Sequence, residues 1–137
     1  SAMEAGVELV TLEELCKRSD YVSVHARLSE ETKNLIGEKE FNLMKPTAIF
    51  INTARAGLVD EAALVKALQQ KKIRSAAIDV YTQEPIASDH PLLKLDNVTL
   101  TPHHAGATTD NMSNSLDIIL EEVDRYFAGQ PLKNKMN

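Results

Sequence analysis

Four short β-rich runs punctuate the chain: DYVSVH at residues 20–25, AIFIN at 48–52, SAAIDV at 75–80 and NVTLT at 97–101. Segments with helical spacing stand between the first three. Strands that alternate with helices leave few folds open, because each crossover is right-handed and delivers the next strand parallel to the last. AIFIN is the most telling of the four. It is continuously apolar, the mark of a strand covered on both faces in a parallel sheet. The sequence therefore predicts an α/β domain built on a mainly parallel sheet with flanking helices in three layers.

The helices carry their own punctuation. Thr11-Leu12-Glu13-Glu14 has the form of a capping box, with Thr11 as N-cap and Glu14 at the third helical position, so a short helix should run to about Arg18. Residues 38–45 can form a second short helix, which Pro46 stops. Asp60 can cap a third through about Gln70, with Ala63, Leu64, Ala67 and Leu68 on one stripe. Met112, Leu116, Ile119, Val123 and Tyr126 fall on one face of a long last helix, and Gly129 and Pro131 form its stop. Residues 29–34 read as a turn and 85–91 as loop, while 7–10 can make a further short strand. With no repeat and no Gly/Ser linker, residues 1–137 are expected to form a single domain.

Composition removes several functional classes. A chain of 137 residues with 43% hydrophobic content is too apolar for disorder. Fifteen basic against twenty acidic residues give a net charge of −5, which disfavours binding to a phosphate backbone. With no Trp, three Tyr and three Phe, base stacking is also disfavoured. No nucleic-acid partner is therefore expected. Nor is a membrane partner, because no apolar run approaches the ~18 residues of a span. Residues 1–6 lack a signal-peptide pattern, and Cys16 has no partner for a disulfide, which fits a reducing cytoplasm.

The polar residues are informative by position. Ligands of open parallel sheets bind beyond the carboxyl ends of the strands. His25 ends the first run, Arg55 follows the second, Asp79 closes the third with Glu84 in the loop beyond, and His103 follows the fourth at once. Arg55 can grip a carboxylate by two parallel hydrogen bonds, or be an ordinary surface arginine. His103 can carry a proton near neutral pH, or be a histidine bonded to a carbonyl. Glu84 can receive the other ring N–H of a histidine, or be a solvated loop acid. Asp79 can accept a hydrogen bond from an amide of a bound cofactor, or cap the next turn. His103 and His104 lack supporting ligands at metal-site spacing, so no metal is expected. No pair of glycines has the G-x-G spacing of a phosphate-binding loop.

Three ordered motifs give these residues a context. NTARAGLVDEAAL at 52–64, AAIDVYTQEP at 76–85 and DNVTLTPHHAGAT at 96–108 resemble the D-isomer-specific 2-hydroxyacid dehydrogenases, a family that includes phosphoglycerate dehydrogenase and glyoxylate/hydroxypyruvate reductase. The resemblance runs from about Val7 to Gly129. It implies a Rossmann-like fold, NAD as cofactor with NADP also open, and a small 2-hydroxy or 2-keto acid as substrate. By the same resemblance Arg55 binds the substrate carboxylate, His103 is the catalytic acid–base and Glu84 is its carboxylate partner. Asp79 would hold the nicotinamide carboxamide. Thr53, Ala54, Arg55 and the stretch His103, His104, Ala105 and Gly106 would lie along the nicotinamide, with Ala26 and Arg27 near the adenosine half. The chain departs from the family pattern at Arg27, where many members have proline, at Ala56, where glycine is common, and at His104, where a small apolar residue is usual.

Family members are longer, and the resemblance implies that this chain is the C-terminal portion of the NAD-binding domain of a two-domain enzyme. The first strand and its Gly-rich loop would be absent, and Ser1-Ala2 reads as a vector scar or cut end. Such a fragment is expected to be inactive alone and to cover its bare strand edge by self-association, as a homodimer or otherwise. Two rivals stand beside this reading. One is an NAD-responsive corepressor of the same family. The other is a receiver-like signalling domain with Asp79 as phosphoacceptor.

Overall fold

A computed structural model describes residues 5–135. The reading of Ser1-Ala2 falls outside them. The chain divides into two compact units, Ser1–His103 and His104–Asn137.

The first unit contains helices α1 (Leu12–Arg18), α2 (Glu38–Leu43) and α3 (Glu61–Gln69) and strands β1 (Tyr21–Val24), β2 (Ile49–Asn52), β3 (Ser75–Ile78) and β4 (Val98–Leu100). The strands pair in chain order, β1-β2-β3-β4, and every pair is parallel. The architecture is the expected Rossmann-like α/β arrangement. Its register aligns Val24, Asn52, Ile78 and Leu100 in one row across the sheet. The loops leaving β2, β3 and β4 therefore start side by side at the same end.

Local chemistry accounts for the helix boundaries. The Thr11 hydroxyl accepts from the Glu14 N–H at 3.2 Å, and the Glu14 carboxylate accepts from the Thr11 N–H at 3.0 Å, which completes the capping box of α1. Asp60 accepts from the Ala63 N–H at 3.0 Å and starts α3. Ala63, Leu64, Ala67 and Leu68 are all buried. They join Phe41 and Phe50, whose rings meet edge to face at 5.2 Å.

Two expectations need correction. AIFIN is not covered equally on both faces: Phe50 and Asn52 are buried, whereas Ile49 and Ile51 are only half-buried. Helices α2 and α3 pack together, and their Phe41, Ala63 and Leu64 join Phe50 in one buried cluster, so the face of β2 that carries Phe50 takes the core. Residues 7–10 form no strand. Val7 and Leu9 are exposed, and a strand without a neighbour has no ladder to complete. Glu8 instead accepts from both terminal nitrogens of the Arg18 guanidinium, at 2.8 and 2.6 Å. Two 3-10 turns, Ala56–Leu58 and Pro91–Lys94, lie outside the elements foreseen from sequence.

The second unit is built on helix α4 (Thr109–Phe127). The Thr108 hydroxyl caps it by accepting from the Asn111 N–H at 3.1 Å. Gly129, at φ 66°, ends it in the left-handed conformation that glycine adopts without steric cost. The apolar stripe of Met112, Leu116, Ile119 and Val123 is exposed.

Candidate active site

The strand-end row places the functional loops. His103 lies three residues beyond Leu100 of β4, and Glu84 lies in the loop after β3. Nδ1 of His103 is 2.8 Å from Oε2 of Glu84. The other carboxylate oxygen, Oε1, accepts from the Tyr81 N–H at 3.0 Å. Hydrogen bonds from His103 and then from the Tyr81 backbone hold the Glu84 carboxyl below its ordinary value of 4.5. An ionised carboxylate only accepts, so Nδ1 carries the proton and, in the neutral ring, Nε2 is the basic nitrogen. His103 itself has φ 55°, an uncommon conformation for a residue with a side chain. Its N–H donates to the Thr101 carbonyl at 3.0 Å across Pro102.

This pair lines a mostly apolar cavity of about 410 Å³, together with Tyr81, Pro85, Ile86, Leu93 and Leu100. Tyr81 was not singled out from sequence. Its hydroxyl lies 3.1 Å from the Ile78 carbonyl and 2.9 Å from the Thr101 carbonyl, so it bridges the ends of β3 and β4. Burial, and then the nearby Asp79 carboxylate, push its phenol above the usual value.

Asp79 is 2% exposed. Its Oδ1 accepts from the Thr101 hydroxyl at 2.5 Å, and its N–H donates to the Asn52 carbonyl at 3.0 Å. Thr101 was also overlooked, although its place beside Pro102-His103 was a usable signal.

Arg55 follows β2 and lies in a second concavity, of about 480 Å³, lined by His25, Ala26, Arg27, Leu28, Ala54 and Arg55. The structure thus brings Glu84 and His103 into direct contact and gathers Ala26, Arg27, Ala54 and Arg55 in this second concavity. Thr53 sits half-buried in the turn after β2. His25 bonds back to the Ser23 hydroxyl through Nε2 at 2.8 Å. His104, Ala105 and Gly106 belong to the second unit, where the Gly106 carbonyl accepts from the Asn111 amide at 2.7 Å. Among the described residues, no three His, Cys, Asp or Glu side chains gather as a metal site.

The donor set fits part of a dinucleotide. Two guanidinium groups and two alanines beyond β1 and β2 offer positive charge and room for close approach. The buried Asp79 at the end of β3 offers an acceptor suited to an amide.

Known proteins resemble this chain in sequence and in fold. The family described as D-isomer specific 2-hydroxyacid dehydrogenase, NAD binding domain, matches residues 1–105. A glyoxylate reductase of Korarchaeum cryptofilum is 46% identical over 134 residues, which are 98% of this chain and 40% of that protein. A D-3-phosphoglycerate dehydrogenase of Methanocaldococcus jannaschii is 43% identical over 99% of this chain and 26% of its own length. Among solved structures, D-lactate dehydrogenase with NAD+ from Lactobacillus jensenii superposes with a TM-score of 0.91 at 32% identity, over 98% of this chain and 44% of that one. An acyclic imino acid reductase in complex with NADPH and D-Arg superposes with a TM-score of 0.86 at 35% identity, over 96% of this chain and 42% of that one. The chain therefore spans less than half the length of these relatives.

Proposed function

The chain belongs to the D-isomer specific 2-hydroxyacid dehydrogenase family, and from that premise we propose that it forms part of the NAD-binding domain of an oxidoreductase that interconverts a small D-2-hydroxy acid and its 2-keto acid. The observation that carries the reading is the 2.8 Å contact between His103 Nδ1 and Glu84 Oε2, with Glu84 held in turn by the Tyr81 N–H.

Each residue then has a chemical task. Arg55 takes the substrate carboxylate through two parallel hydrogen bonds and so orients the carbon that reacts. In the oxidising direction, Nε2 of His103 accepts the hydroxyl proton, and in the reducing direction it returns that proton. Glu84 keeps the proton on Nδ1 and faces the positive charge that the ring gains. Asp79, steadied by the Thr101 hydroxyl, accepts a hydrogen bond from the carboxamide of the nicotinamide. Ala26 and Arg27 serve the adenosine half, and Thr53 and Ala54 the nicotinamide side. When bound, NAD supplies the hydride chemistry.

The test is a panel of 2-keto acids, including glyoxylate and pyruvate, offered to the whole protein with NADH and with NADPH. Cofactor oxidation that depends on the keto acid and yields the D-hydroxy acid supports the reading. Absence of turnover with every keto acid, or formation of the L-isomer, overturns it.

The site is proposed to work in the cytoplasm. The lone buried thiol of Cys16 supports that setting, and no helix among the described residues is long and apolar enough to cross a membrane. Self-association with a second copy is also proposed. Its support is the edge position of β1 and the exposed apolar stripe of α4. A strictly monomeric mass in sedimentation at high concentration would count against it.

A further inference from the structure

The buried face of the sheet is apolar at Val22, Val24, Phe50, Ala76 and Ile78, and polar at Asn52. Asn52 ends β2, between β1 and β3, and is 2% exposed. A carboxamide in such a place costs stability unless its donors and acceptor are used. Oδ1 of Asn52 accepts from the Ala54 N–H at 3.0 Å, and Nδ2 donates to the Arg55 carbonyl at 3.0 Å. Both ends of the amide therefore act on Ala54 and Arg55, two of the residues by which the chain leaves the sheet. The side chain does locally what a main-chain turn would otherwise have to do.

The consequence falls on Arg55. Its carbonyl also accepts from the Leu58 N–H at 3.3 Å as the turn Ala56–Leu58 begins. The backbone of Arg55 is thus fixed from the strand side by Asn52 and from the turn side by Leu58, while its exposed side chain donates from one Nη to the Ala54 carbonyl at 2.6 Å. A leucine would fill similar volume without either bond. An aspartate would keep the acceptor for Ala54 and oppose the Arg55 carbonyl.

We propose that Asn52 is the positioning residue for Arg55: it sets the direction from which the guanidinium meets the substrate carboxylate. This rests on the reading of Arg55 given above. Asn52 itself touches neither substrate nor cofactor.

The experiment uses the whole protein, its best 2-keto acid and the uncharged amide of that acid. The readout is the ratio of kcat/KM for the acid to that for the amide, a preference that only carboxylate recognition generates. Arg55→Gln should abolish most of the preference. Asn52→Ala should lower it by about tenfold, mainly through KM, and Asn52→Asp, which repels the Arg55 carbonyl, by at least as much. A general loss of structure would lower acid and amide turnover together and leave the ratio alone. If Asn52→Ala does not fold, Asn52→Leu, which fills similar volume without either bond, decides. The inference is overturned if Arg55→Gln loses the preference while the foldable Asn52 variants keep it. If Arg55→Gln keeps the preference, the carboxylate role of Arg55 has failed, and this inference fails with it.

Discussion

Glu84 and His103 stand nineteen residues apart in the chain, yet their side chains meet at 2.8 Å because β3 and β4 are parallel neighbours that end in the same row. The contact joins two loops that share no local structure. It depends on the strand register that brings Ile78 level with Leu100.

The dyad predicts a graded loss of activity. His103→Gln should reduce kcat by about 10²–10⁴-fold, because it removes the group that moves the proton. Glu84→Gln should cost less, about ten- to a hundredfold, since the amide oxygen can still accept from Nδ1 but carries no charge. KM for the keto acid should change little in either variant. Steady-state kinetics of the whole protein checks both. A Glu84→Gln enzyme with unaltered kcat would remove Glu84 from the mechanism.

The buried pair of Asp79 and Thr101 predicts a coupled effect on cofactor and stability. Thr101→Val keeps the shape and deletes the hydroxyl that donates to Asp79 at 2.5 Å. A buried carboxylate that loses a donor should cost about 1–3 kcal/mol of stability. The NADH Kd should rise by about tenfold as the carboxylate loses its orientation. Fluorescence titration with NADH and urea unfolding measure the two effects.

The cap of α1 predicts an acid-sensitive contribution to stability. Glu14 is held below 4.5, first by the bond from the Thr11 N–H and next by the Thr11 side chain. A carboxyl whose pKa is depressed on folding contributes stability above its unfolded value, and loses it as pH falls through the folded one. Thr11→Ala should cost about 1 kcal/mol at neutral pH through the lost hydroxyl, which caps the Glu14 N–H and also bonds the Glu14 carboxylate. The difference from the parent protein should shrink toward about pH 3. Urea unfolding at both pH values tests this.

The core predicts a larger effect at β2. Phe50 is fully buried and packs edge to face on Phe41. Phe50→Ala should destabilise by about 3–5 kcal/mol, with Phe50→Leu costing less because more of the volume stays filled. Denaturant midpoints with unchanged slopes would check that the loss is one of stability.

What the sequence determined by itself was local or periodic. The capping box at Thr11 and Glu14, the buried stripe of α3 and the stop at Gly129 follow from neighbouring residues alone. So does the order of strands and helices. The row of ionisable residues at the strand ends was legible as well, since Arg55 and His103 follow apolar runs, Asp79 stands near the end of one and Glu84 lies in the loop after it. The run at 7–10 misled because its alternation is a local property, whereas a strand exists only with a neighbour to bond. Tertiary structure decided the remainder. It chose which face of β2 took the core, let the Tyr81 hydroxyl bridge two strand ends, and put the Thr101 hydroxyl against Asp79. It also turned the Asn52 amide, which in sequence merely ends an apolar run, into a brace for Arg55. The physical reason is one of range. Caps and helical stripes form within a few residues, but the partner of a buried polar group is chosen by the register of strands that only the folded sheet aligns.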